Sequence, residues 1–258
     1  MNRIASVFKQ KGRKALIPYI TVGYPDLPAT LQAAELLVEK GADIIELGIP
    51  FSDPMADGVT IQDSSYQALL KGINTDSCLE AARKIRQKSK VPLVFMTYFN
   101  PVNAYGIEKF CRACASAGVD GLIVPDLPPE EGAVLQSAAV GQGLDMIYLL
   151  APTSTVERIE TVAKLSRGYI YLVSVAGVTG VRQSVSSDLK DFVTRVRRST
   201  KLPLCVGFGI STAEQAGEVA KIADGVIIGS KMIQLMKSDP TLKTLEEFTN
   251  QIRLRLDC

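Results

Sequence analysis

The chain has 258 residues, 47% apolar and 22% charged, the usage of a globular protein long enough to bury a large core. A formal charge of +2 leaves no global field to draw nucleic acid or a membrane surface. The lack of any histidine excludes Ser-His-Asp and Cys-His nucleophiles, two-histidine zinc motifs and imidazole proton shuttles, so acid–base chemistry falls to Asp, Glu, Lys, Tyr or Cys.

The chain opens on a helical stretch, "NRIASVFKQ" (2–10), with no charged-then-apolar leader. No apolar run approaches membrane length, which favours the cytoplasm. The alternative is a plastid protein from which a transit segment has been removed. Eight short apolar runs follow: "ALIPYITV" (15–22), "ADIIELGI" (42–49), "VPLVFMTYF" (91–99), "GLIVPDL" (121–127), "LDMIYLLAP" (144–152), "GYIYLVSVAG" (168–177), "PLCVGFGI" (203–210) and "DGVIIGS" (224–230). Continuous rather than alternating apolarity predicts strands buried on both faces, as in a parallel sheet.

Helical periodicity lies between the runs. Leu31, Ala34, Leu37 and Val38 form one stripe, closed by Gly41, and Ile159, Val162, Ala163 and Leu165 form another. Ser77 with Glu80, Ser154 with Glu157 and Ser211 with Glu214 read as helix starts. A last helix is expected over 245–256. Eight strand–helix units predict a (β/α)8 TIM barrel with an extra N-terminal helix, forming one domain over residues 1–258. A doubly wound open sheet would want a Gly-rich turn after its first strand, and "TVGYPD" (21–26) is not one. The five cysteines are dispersed and odd in number, which argues against a disulfide framework. "CRAC" (111–114) has no second pair and reads as two ordinary helix cysteines.

Barrel sites form where strands end and loops begin. That directs attention to Tyr19, Thr21, Glu46, Asp57, Tyr98, Asn100, Asp126 and Tyr171, and to the loops "AGVTG" (176–180), "GFGIS" (207–211) and "GSK" (229–231). Gly177, Gly180, Gly207, Gly209 and Gly229, with Ser230, suit a phosphate gripped by backbone amides; the plainer reading is tight turns. Glu46 stands among Ile44, Ile45, Leu47 and Ile49. Burial there would raise its pKa and fit it to move protons, or else it is a structural carboxylate with a buried partner. By pattern alone Asp53 and Asp57 read as turn and cap residues.

"ELGIPFSDPMADGVTIQ" (46–62) resembles the signature of the tryptophan synthase alpha subunit family. "PYITVGYPD", "VFMTYFNPV", "GVDGLIVPDLPPEE", "YLVSVAGVTG" and "GFGIS" are similar to that family's segments, in its order, along essentially the whole chain. The resemblance implies retro-aldol cleavage of indole-3-glycerol phosphate to indole and glyceraldehyde 3-phosphate, with no metal or organic cofactor in this chain. It implies Glu46 as general acid/base and Asp57 as the carboxylate beside the indole N–H. Tyr171 would stand near the glutamate, Tyr19 beside the indole, and Gly180, Gly209, Gly229 and Ser230 at the phosphate. It further implies a pyridoxal-phosphate beta subunit as partner in an alpha2-beta2 heterotetramer, reached through the loops carrying Asp57 and Thr179, with Asn100 and Pro101 near the interface and the loop holding Thr179 closing as a lid.

One position departs from the family pattern: Val59 stands where proline commonly follows "ADG". A stand-alone indole-releasing lyase and a catalytically weak subunit that activates its partner are the competing readings. Asp53 is read as a structural brace in the loop between the two acids.

Overall fold

A computed structural model describes residues 2–10, 12–173, 187–207 and 209–257. Its strands are β1 (Ala15–Thr21), β2 (Ile45–Gly48), β3 (Leu93–Met96), β4 (Gly121–Ile123), β5 (Asp145–Met146), β6 (Leu149–Leu150), β7 (Ile170–Val173), β8 (Leu204–Gly207) and β9 (Gly225–Ile228). Every pairing is parallel, because helices carry the chain back between strands. The order is β5-β4-β3-β2-β1-β9-β8-β7-β6.

The predicted fifth strand, 144–152, is corrected to two two-residue strands, because its halves serve different neighbours. β5 pairs with β4, and β6 pairs with β7. Between them Ile147 N donates to Leu122 O at 2.9 Å, while Tyr148 O accepts from Tyr171 N at 3.1 Å. The sheet therefore returns on itself through one bent segment, and the eight predicted units make a (β/α)8 barrel.

Alternation along each strand divides the core in two. Ala15, Ile17, Val94, Ile123, Ile147, Tyr171, Cys205 and Ile227 fill the barrel interior, with Ile4 of the helix Arg3–Val7 closing its N-terminal end. Leu16, Ile20, Leu47, Phe95 and Leu172 pack outward beneath the helices. Both faces are dry, which is why the runs read as continuously apolar; each buried Leu, Ile or Phe contributes about 1.5–3 kcal/mol.

Three aspartates tie strand starts at the N-terminal face. Asp43 accepts from Leu16 N at 2.9 Å, Asp120 from Leu93 N at 2.9 Å and Asp224 from Leu204 N at 2.8 Å. Each also pairs with arginine: Asp43 with Arg13 and Arg253, Asp120 with Arg3 and Arg86, and Asp224 with Arg197. Carboxylates at this end serve stability, which leaves the opposite end for chemistry.

The three Ser-x-x-Glu helix starts are displaced. Asn74, Thr155 and Thr212 are the caps, accepting from Ser77 N, Arg158 N and Gln215 N. In each case a neighbouring Asn or Thr reaches the free N–H of the first turn better than the expected serine does. Gly41, at φ +89°, ends the helix Leu27–Glu39 as expected. The last helix begins at Lys243 and runs to Leu256. Cys111 and Cys114 lie buried on the helix Ile107–Ala117. Burial pushes the Cys111 thiol up to about 11 and that of Cys114 well above its ordinary value, so neither is a ready nucleophile. No helix among the described residues is long and apolar enough to cross a membrane.

Candidate active site

A cavity of about 350 Å³ opens at the C-terminal ends of the strands. Ile61, Met96, Leu149 and Ile227 supply apolar wall; Tyr19, Glu46, Asp57 and Tyr171 bring the titratable groups; Gly209, Ser211, Gly229 and Ser230 line the same space. Seven of the nine residues expected at the site thus meet here in one place: Tyr19, Glu46, Asp57, Tyr171, Gly209, Gly229 and Ser230. Thr179 and Gly180 lie outside the described residues, as does Gly177.

Glu46 sits on β2 opposite Tyr19 of β1 and Val94 of β3, pointing inward where an apolar residue is normal. It is 1% exposed. Tyr169 Oη donates to Glu46 Oε1 at 2.6 Å, while Oε2 has no hydrogen-bond partner among the described residues. Desolvation pushes the Glu46 carboxyl up to about 8, against the opposing effect of the Tyr169 hydrogen bond. A carboxyl so placed is biased towards its protonated form and leaves Oε2 buried without a partner among the described residues.

Asp57 is half-buried on the loop between β2 and the helix Val59–Leu70. Desolvation raises its carboxyl to about 6, and the Tyr98 hydroxyl, donating to it, favours the ionised form. Tyr98 Oη also accepts from Ala56 N at 3.0 Å, and its ring stacks on Phe51 with centroids 5.3 Å apart. One tyrosine therefore braces the loop and its carboxylate together. Asp53 is exposed on this loop, accepting a hydrogen bond from the Ser52 hydroxyl.

Tyr19 and Tyr171 are buried, and desolvation pushes both phenols up, with the Asp57 and Glu46 charges adding to the effect. Both therefore remain neutral donors close to both acids. Tyr19 Oη lies 3.3 Å from Thr21 Oγ1.

The remaining wall can hold an anion. Gly229 caps the helix Ser230–Ser238, whose first N–H groups have no partner within the helix. Gly209 adopts φ +73°, a conformation that leaves its backbone open to close approach. Lys231 is the one cation lining the cavity among the described residues. Amides and a helix end, rather than a cluster of charged side chains, dominate this wall.

Sequence reasoning placed Tyr98 among the strand-end candidates without assigning it a task, and did not single out Tyr169. Tyr169 lies two residues before Tyr171, so period-two alternation points both inward; which one reaches Glu46 depends on layer height, a signal the pattern lacks.

The family model for "Tryptophan synthase alpha chain" matches residues 5–255. The chain is 55% identical to the tryptophan synthase alpha chain of Dehalococcoides mccartyi over the full length of both. It is 52% identical to that of Citrifermentans bemidjiense, covering 96% of this chain and 94% of the relative. Among solved structures, tryptophan synthase subunit alpha from Legionella pneumophila superposes with a TM-score of 0.92 at 38% identity, covering 100% of this chain and 99% of that one. A chain of Mycobacterium tuberculosis tryptophan synthase gives a TM-score of 0.92 at 39% identity, again covering 100% and 99%. With a barrel, a buried glutamate and a glycine-bearing wall in the same cavity, these matches leave one conclusion: the chain belongs to the tryptophan synthase alpha chain family.

Proposed function

We propose that this cavity cleaves indole-3-glycerol phosphate into indole and glyceraldehyde 3-phosphate, with Glu46 moving the protons and Asp57 stabilising charge at the indole nitrogen. The observation that carries these roles is the Glu46 carboxyl, pushed up to about 8, held through Oε1 by Tyr169 and unpartnered at Oε2.

The chemistry needs such a group. Indole C3 is a poor leaving carbon while the ring is aromatic. Protonation at C3 by Glu46 gives the indolenine, with positive charge on N1. Glu46, now a carboxylate, takes the proton of the hydroxyl on the adjacent glycerol carbon. The C–C bond breaks as that carbon becomes an aldehyde, and its electron pair returns to the ring, restoring indole. One proton enters and one leaves, so no oxidant or reductant is required.

Asp57, ionised above about pH 6, faces charge that develops only along the reaction path. Two carboxyls with pKa values held apart suit an acid and a fixed anion. Gly209, Gly229 and Ser230 would hold the phosphate, joined by Gly180; Tyr19 would flank the indole, and Tyr171 and Thr179 would complete the substrate site. Apolar Ile61, Met96, Leu149 and Ile227 suit a flat aromatic ring.

The chain is read as one barrel domain over residues 1–258 that needs no cofactor of its own. Family membership implies a beta partner, and pyridoxal phosphate belongs to that subunit. We take the assembly to be an alpha2-beta2 heterotetramer in the cytoplasm.

The test is steady-state indole release from indole-3-glycerol phosphate, with and without added beta subunit. Stimulation by the partner is expected, as is near-complete loss of turnover in Glu46→Gln with substrate-analogue binding retained. High activity without the partner would favour a stand-alone lyase; near-wild-type turnover in Glu46→Gln would overturn the role of Glu46.

A further inference from the structure

We infer that Phe8, at the N-terminal end of the barrel, is a positioning residue for Glu46 that acts through Tyr169. This rests on the reading of Glu46 as the acid–base group. Tyr169 is fully buried and supplies the described hydrogen bond to the Glu46 carboxyl. Phe8 meets its ring with centroids 6.1 Å apart and planes at 52°, a tilted aromatic contact.

Phe8 is itself held in place. It is the C-cap of the short helix Arg3–Val7. Asn2 Nδ2 donates to Asp145 Oδ2 at 2.6 Å, and Arg3 Nη1 pairs with Asp120 Oδ1 at 2.7 Å. Ile4, fully buried, fills the space that a side chain at Gly168 would need: a Cβ there would lie 2.9 Å from Ile4 Cγ2. Gly168 immediately precedes Tyr169. The N-terminal helix thus packs Ile4 against the residue before Tyr169, and its capping Phe8 against the Tyr169 ring.

The consequence is geometric. Oε2 can meet a substrate carbon only while Oε1 stays with the Tyr169 hydroxyl. With Phe8 truncated, the Tyr169 ring loses its support and can settle away from Glu46. The hydrogen bond then lengthens, and Glu46 gains freedom to leave its productive rotamer. Phe8 does not line the catalytic cavity, so its effect on substrate binding should be slight. The titratable groups around Glu46 are Tyr169 and Tyr171 of the β7 region, Tyr19 of β1 and Cys205 of β8, and the substitution leaves all four in the chain.

The test measures indole release across pH for the full chain with its beta partner, comparing wild type, Phe8→Ala, Phe8→Leu and Tyr169→Phe. Phe8→Ala should lower kcat about tenfold, the scale of a sub-ångström to ångström misplacement, with KM little changed. The alkaline limb of kcat/KM should move to higher pH, since a hydrogen bond favouring the carboxylate is weakened. Phe8→Leu should restore most of both quantities, and Tyr169→Phe should move the limb in the same direction as Phe8→Ala. An unmoved limb in Phe8→Ala, with kcat lowered only in proportion to the folded fraction seen by near-ultraviolet circular dichroism, would overturn the inference. If Phe8→Ala does not fold, an unchanged limb and kcat in Tyr169→Phe would overturn it instead. An active Glu46→Gln would instead remove the assignment on which this inference stands.

Discussion

Tyr19 of β1 lies over Gly48 of β2, two residues beyond its register partner Glu46, and occupies the space a side chain at position 48 would fill. A Cβ there would come within 2.8 Å of Tyr19 Cε2 and closer still to its Cζ and Oη. Tyr171 of β7 lies over Gly207 of β8 in the same way, two residues beyond its partner Cys205. Two glycines therefore admit the two tyrosines that flank the acids. Gly48→Ala should displace the Tyr19 ring, costing about 1–3 kcal/mol by overpacking and lowering indole release. Combining it with Tyr19→Leu should cost less than the sum of the single changes, because the clash is removed with the ring. Urea unfolding of the four-member cycle measures this; strict additivity would show that the two residues do not compete for space.

The raised carboxyls set a pH profile. In the proposed mechanism Asp57 acts as the anion, so kcat/KM should fall as pH drops through about 6. In the same proposal Glu46 acts as the acid, so kcat/KM should also fall as pH rises through about 8. A phosphate monoester also ionises near pH 6, so the acid limb needs a control. On the residual activity of Asp57→Asn that limb should shrink to the contribution of the substrate. A limb unchanged in Asp57→Asn would return Asp57 to the role of a turn residue.

Glu46 should also cost stability. Between pH 4.5, its ordinary value, and about 8, the unfolded chain has released the proton while the folded chain keeps it. Stability from this group is therefore complete below 4.5 and lost as pH rises through the window, by on the order of 4–5 kcal/mol at the top. Glu46→Gln removes the titration and can still accept from Tyr169. The variant should gain on the wild type steadily from about pH 5 to about 8 in urea midpoints at fixed m, and level off above it. A difference that does not change with pH would mean that Glu46 is not held neutral by burial.

The barrel was legible because parallel strands buried on both faces leave uninterrupted runs such as "ADIIELGI", and because helices must separate them. Glu46 was legible as an acid among isoleucines, and one wall of the cavity as glycines at strand ends. Three things depended on contacts between distant segments. The fifth strand divides because Ile147 and Tyr148 bond different neighbours. Tyr98 braces Asp57 from 41 positions away, and Tyr169 holds Glu46 across 123 positions of sequence. Local pattern fixes which face a side chain takes, whereas the height of strands relative to one another decides which inward residue meets which.

Val59, the departure from the family pattern, begins the helix Val59–Leu70 and is 82% exposed. It is the first helical residue, whose N–H has no partner within the helix, and Gly58 before it adopts φ −73° and ψ 163°. Both conditions suit proline: the missing N–H costs nothing there, and the preceding residue is already extended. Val59→Pro should therefore stabilise the chain by about 0.4–1 kcal/mol, chiefly by restricting the unfolded state. It should also slow proteolytic cleavage of the loop 51–58 that carries Asp57, since the loop would gain a rigid anchor at its exit. Urea midpoints and limited proteolysis check the two effects. A lower midpoint would show that Val59 supplies packing its exposure does not reveal, and unchanged proteolysis would place control of the loop with Tyr98 alone.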